Sequence, residues 1–146
     1  MGRILSIDYG AKRSGIAVTD PLRLIATALA TVPSRELIPF LKTYFQNETV
    51  DEAVIGLPKQ LNNTDSAHAP LVREFMDLFR QTFPIPLTAW DERFTTRIAQ
   101  QVLLQSGKKK MARREKGLLD RISATLILQE YMNAKKQKEL GFGLGL

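Results

Sequence analysis

Arg3-Ile4-Leu5-Ser6-Ile7-Asp8-Tyr9-Gly10 decides how the rest of the chain is read. Mostly apolar, β-favouring residues lead directly into a carboxylate, and a glycine two positions later lets the backbone turn at once. A strand that is nearly all apolar is buried on both faces, which places it in the middle of a mixed or parallel sheet. Asp8 then stands at the end of a central strand, at the rim of the core. Asp-x-Gly is also a turn signal in its own right, with the carboxylate bonding nearby backbone. The role of Asp8 therefore depends on what accompanies it.

After Gly10, a turn bounded by Gly10 and Gly15 precedes a second strand over Ile16-Ala17-Val18-Thr19-Asp20, before Pro21. The two glycines do not make a nucleoside-triphosphate loop, because Ile16 and Ala17 stand where Lys and Ser or Thr must follow. Lys12 and Arg13 sit at this turn, either to touch a substrate phosphate or as a solvated tip. Leu24 to Val32 is expected to form a third strand and complete an antiparallel meander, ended by Pro33-Ser34. Leu37, Ile38, Leu41, Tyr44 and Phe45 then have helical spacing, with Pro39 confined to the first turn.

Asp51 to Pro58 reads as a fourth strand. The polar loop from Lys59 to Asp65 follows it, and Asn62-Asn63-Thr64 serves either substrate contact or turn formation. From Ser66 to Phe83, a second amphipathic helix carries Leu71, Val72, Phe75, Met76, Leu78 and Phe79 as core residues. His68, the single histidine, has no second histidine with which to share a metal and reads as an ordinary surface residue. Leu87 to Trp90 is the last strand and runs into Asp91-Glu92-Arg93-Phe94-Thr95-Thr96. A helix capped by Thr95 or Thr96 continues to Ser106 and stops at Gly107. The final helix, Gly117–Lys138, is expected to turn Leu119, Ile122, Leu126 and Ile127 inward. Asp120 lies on or beside that face, with small Ser123 and Ala124 leaving open space around it.

These elements describe an α/β chain of one domain over residues 1–138, with a glycine-rich tail over 139–146 that is too permissive to fold alone. The 146 residues include no cysteine, which excludes a disulfide scaffold and a thiolate metal site. No signal peptide or membrane-length apolar run is present, so a cytoplasmic protein without a membrane partner is expected. The start of the chain matches a loose myristoylation pattern, but Gly2 leads straight into the central strand, and the match is set aside.

The net charge is +6. Residues 100–138 hold ten Lys or Arg against three Asp or Glu, so the whole excess lies in the C-terminal third. Lys108, Lys109, Lys110, Arg113, Arg114 and Lys116 fall within nine positions. Such a cluster suits a polyanion, because neutralising phosphates releases counterions; a solvated helix surface is the plainer alternative.

Asp8 and Glu92 end two strands, and Asp120 begins a helix able to cross them. Three converging acids repel one another strongly in a low dielectric unless cations neutralise them. Oxygen-only ligands favour Mg²⁺ or Mn²⁺ over zinc. A pair of such ions can activate water and stabilise the leaving oxygen in phosphodiester hydrolysis.

The combined motifs resemble one family: Asp8-Tyr9-Gly10 with Lys12-Arg13 and Gly15, then Gly56-Leu57-Pro58, Asp91-Glu92-Arg93-Phe94-Thr95-Thr96, and Asp120 in the last helix. They look like the YqgF family, also called RuvX-like Holliday junction resolvases, across residues 3–131. The resemblance implies an RNase H-like fold, a five-stranded mixed sheet with three antiparallel strands and helices on both faces. It also implies nuclease activity in maturing the 5′ end of pre-16S ribosomal RNA, or in resolving four-way DNA junctions. By position it makes Asp8, Glu92 and Asp120 the metal-binding catalytic acids, Asp91 a supporting acid and Arg93 a structural or substrate contact. Asn63 stands where the family commonly has glycine, and Ser123-Ala124 replaces a pair of alanines. A non-catalytic nucleic-acid-binding factor of the same fold is the competing class. An actin-like phosphotransferase would need two such domains. The sequence does not distinguish monomer from homodimer.

Overall fold

The computed structural model describes residues 2–57, 68–91 and 116–139, the first four of the last stretch as backbone. Five strands make one sheet: β1 (Arg3–Asp8), β2 (Arg13–Thr19), β3 (Ala26–Pro33), β4 (Val50–Leu57) and β5 (Leu87–Asp91). Their order across the sheet is β3-β2-β1-β4-β5. β1–β2 and β2–β3 are antiparallel, whereas β1–β4 and β4–β5 are parallel. The opening stretch is therefore the central strand, as its apolar run implies.

Side-chain alternation divides β1 between two cores. Leu5 and Ile7 face α1 (Leu37–Asn47) and α2 (Ala69–Thr82), joining Ile16, Val18, Leu41, Ile55, Val72, Phe75 and Phe79. Ile4 faces the other way, with Ala17 and Val54, against Ala124, Ile127, Leu128 and Tyr131 of α3 (Lys116–Glu139). Ser6 shares that face, and its buried hydroxyl donates to the Ala124 carbonyl at 2.6 Å. Asp8 is the next residue of the same parity. The alternation alone delivers its carboxylate to the α3 side.

Several expectations are revised. β3 begins at Ala26 rather than Leu24 because the Asp20 carboxylate accepts the backbone N–H groups of Leu24 and Ile25 at 2.7 and 2.8 Å, holding both in the preceding loop. Leu71 and Leu78 are exposed; the buried stripe of α2 runs through Val72, Phe75, Met76 and Phe79. On α3 the buried stripe is Ser123, Ala124, Ile127, Leu128 and Tyr131, one residue round the helix from the expected one, and Ile122 and Leu126 are half-buried. Pro39 does sit in the first turn of α1, following a short 3₁₀ turn over Ser34–Glu36. The loop containing Asn62-Asn63-Thr64, the helix expected after Thr96, and the tail beyond Glu139 lie outside the described residues.

Among the described residues, no helix is long and apolar enough to cross a membrane.

Candidate active site

The site begins with the pairing of Asp8 and Gly15 across β1 and β2. Directly opposed residues of an antiparallel pair have Cα atoms about 4.5–5.5 Å apart. A side chain on Gly15 would collide with the backbone carbonyl of Asp120 and the next peptide nitrogen. Glycine at this position lets α3 lie directly on β2, which brings Asp120 beside Asp8.

Asp8 retains a small solvent contact, but protein surrounds it on almost every side. Burial is the main reason its carboxyl is pushed up from 3.8 to about 7; the negative charge of Asp120 raises it further, and a hydrogen bond from Ser123 pulls it down. Asp120 is also raised by burial, while the charge and hydrogen bond of Arg13, and the charge of Arg121, pull it back. Arg13 Nε donates to Asp120 Oδ2 at 3.0 Å. Two carboxylates are thus pressed together with less compensation than they need.

Ser123 and Ala124 do not leave the expected open space. Both are buried, at 1% and 0% exposure, with Ser123 occupied as a donor to Asp8. The sequence places Ser123 beside Asp120 but not as a hydrogen-bond donor to Asp8. Its place three residues after Asp120, on the same helix face, was the available signal.

The turn between the first strands is fixed from beneath. Ser14 and Ser34 share a buried hydroxyl hydrogen bond of 2.8 Å, Ser14 Oγ accepts from Gly10 N at 3.3 Å, and Ser34 Oγ donates to the Gly10 carbonyl. On the sheet face away from Asp8, Tyr9 stacks on Phe75 with ring centroids 4.7 Å apart. His68 is not an ordinary surface residue. It is half-buried, stacks on Tyr9 at 6.2 Å and places Nε2 2.7 Å from the Tyr9 carbonyl oxygen, which ties the start of α2 to the end of β1.

Among the other expected site residues, Lys12 is exposed in the turn and Arg13 is the first residue of β2. Asp91 ends β5 and is exposed. Ile7, Ile55 and Ala89 occupy one row of the parallel sheet, so Asp8 and Asp91 close their strands at the same sheet end. Glu92, Arg93, Lys108, Lys109, Lys110, Arg113 and Arg114 lie outside the described residues, as does the Lys116 side chain. Among the described residues, no three acids or histidines form a group able to hold a metal. Asp8 and Asp120 supply two hard oxygen donors whose unfavourable proximity a divalent cation would relieve. The donor chemistry fits such an ion.

The sheet order, crossed by a helix that carries an acid to the central strand, is that of the RNase H-like fold; its family and relatives make the chain a nuclease, a hydrolase of phosphodiester bonds. The chain belongs to the family described as "RuvX: Holliday junction resolvase", whose model matches residues 2–134. A Parabacteroides distasonis relative named "Putative pre-16S rRNA nuclease" is 50% identical over 137 residues, covering 93% of this chain and 98% of that one. A Porphyromonas gingivalis protein of the same name is 49% identical over 134 residues, covering 91% and 97%. The fold is similar to that of fowlpox virus resolvase in complex with Holliday junction DNA, with a TM-score of 0.58, 15% identity, and coverage of 90% and 97%. Resolvases and nucleases of this kind generally use divalent metals and bind nucleic acid.

Proposed function

We propose that the chain is a divalent-metal nuclease that trims the 5′ end of pre-16S ribosomal RNA in the cytoplasm. The observation carrying this reading is the Asp8–Asp120 pair, two crowded carboxylates at the end of the central strand. The names of relatives at 49–50% identity favour the RNA substrate. Asp8, Glu92 and Asp120 would hold Mg²⁺ or Mn²⁺, which when bound supplies an activated water and charge neutralisation at the phosphate. Trp90, two positions before Glu92 in the sequence, packs on the α3 side with Tyr131.

The chain's own residues prepare the site. Ser123 orients the Asp8 carboxylate, Gly15 admits Asp120, and the Ser14–Ser34 pair fixes the turn carrying Lys12 toward the strand. Asp91 supports the acids and Arg93 contacts the substrate or the surrounding fold. Lys108, Lys109, Lys110, Arg113, Arg114 and Lys116 draw in the phosphate backbone. Residues 1–138 act as one domain.

Resolution of four-way DNA is the second reading, favoured by the family description and the fold of the fowlpox resolvase. Incubating the protein with 5′-extended pre-16S RNA, a four-way DNA junction and a plain duplex, with and without Mg²⁺ or Mn²⁺, separates the readings. Metal-dependent cleavage of the RNA extension is expected. Preferential junction cleavage would shift the substrate to DNA, and no cleavage of any substrate would refute the nuclease assignment.

A further inference from the structure

The cation paired with Asp120 has a feature that a fixed structural clamp would not need. Arg13 is anchored by its backbone in the sheet, opposite Pro33 of β3, while its side chain reaches across to α3. Its ion pair with Asp120 is half-exposed, with 39% of the Arg13 side chain and 23% of the Asp120 side chain in solvent. Pairs this exposed are weak and readily exchanged. The position of Asp120 is set independently, by the close seating of its backbone over Gly15. Arg121 is engaged elsewhere, with Nη1 donating to Thr31 Oγ1 at 3.3 Å. The guanidinium fork of Arg13 matches a phosphate as well as a carboxylate.

We propose that Arg13 is an exchangeable counter-ion: it pairs with Asp120 in the cation-free protein, releases that carboxylate when a divalent cation takes it, and turns to a phosphate of the nucleic acid. The inference rests on the reading of Asp8 and Asp120 as cation ligands. Its consequence is positive coupling. A cation at Asp120 frees the guanidinium that the nucleic acid needs, and by linkage the nucleic acid tightens cation binding by the same factor.

The test uses the full chain, with calorimetry of Mn²⁺ alone and fluorescence titration of a phosphorothioate RNA hairpin with and without Mn²⁺. Arg13→Gln should bind Mn²⁺ about three- to tenfold more tightly than the parent without RNA, because a competing cation is gone. It should also lose the Mn²⁺-dependent tightening on RNA and shorten the salt slope by about one. Unchanged or weaker Mn²⁺ binding, or retained coupling, would overturn the proposal. If thermal melts show Arg13→Gln to be unfolded, Arg13→Lys carries the test. Lysine keeps the charge but not the fork, so near-parental Mn²⁺ affinity with weakened coupling is expected, and fully parental coupling refutes it. Asp8→Asn separates the levels. Failure of that variant to weaken Mn²⁺ binding sinks the ligand reading itself, whereas weakened binding with no effect from Arg13→Gln sinks the Arg13 inference alone.

Discussion

Replacing Asp8 with Asn should stabilise the cation-free protein at alkaline pH, although it removes a residue proposed for catalysis. Burial and the Asp120 charge raise the Asp8 carboxyl from 3.8 to about 7. The folded chain therefore holds this proton over a range where the unfolded chain has lost it. Stability associated with Asp8 is full below about pH 4 and falls as pH rises toward 7, above which the loss is complete. At 1.36 kcal/mol per tenfold change in proton affinity, the full loss is about 4 kcal/mol. Asn cannot ionise, so Asp8→Asn should be more stable than the parent by up to about that amount near pH 8, by less than about half of it near pH 5, and nearly equal to it only below about pH 4. For a chain of this size, about 2–4 °C per kcal/mol makes the difference on the order of 10 °C in Tm. Divalent cations reverse the sign, because they bind the ionised carboxylate and should stabilise the parent over the variant. Thermal melts near pH 8 and near pH 5, in chelator and in Mn²⁺, give the measurement. Equal Tm shifts at the two pH values, or no gain for Asp8→Asn at pH 8 in chelator, would refute this reasoning.

Gly15→Ala should destabilise the protein by about 3 kcal/mol or more, because its new methyl meets backbone rather than a movable side chain; urea denaturation checks the loss. Ser6→Ala removes a buried donor to the Ala124 carbonyl and should cost about 1–2 kcal/mol with unchanged metal dependence. Glu52 accepts from Tyr131 Oη at 2.5 Å and from Lys135 Nζ at 2.9 Å, at the β1 end remote from Asp8. Glu52→Gln should therefore lower Tm while leaving the specific cleavage rate of the folded fraction near parental, a comparison made by parallel melts and single-turnover assays.

The fold was legible largely because β1 is so uniform. An apolar strand ending in Asp8-x-Gly10 indicates a central position, and the glycine, proline and helical spacings after it mark most of the remaining elements. Element edges were harder to read. Leu24 and Ile25 look like strand residues, but capture of their N–H groups by Asp20 is a tertiary choice between equally apolar options. The orientation of α3 was displaced because Ser123 is polar and buried, satisfied by Asp8, whereas an apolar-periodicity reading favours Ile122 and Leu126. His68 was misread for a similar reason: its partner is a backbone carbonyl, which no side-chain pattern reveals. The Asp8–Asp120 pairing was accessible as a need for neutralisation. The Arg13 contact with Asp120, and the dependence of that approach on Gly15, required the packed sheet and helix.

The most direct measurement of the central claim is a crystal soaked in Mn²⁺ and recorded at the manganese absorption edge. An anomalous peak coordinated by the carboxylates of Asp8 and Asp120 is expected, and it should be lost in Asp8→Asn crystals soaked in the same way. Ordered carboxylates with no peak between them, or a peak that persists unchanged in Asp8→Asn, would contradict that claim.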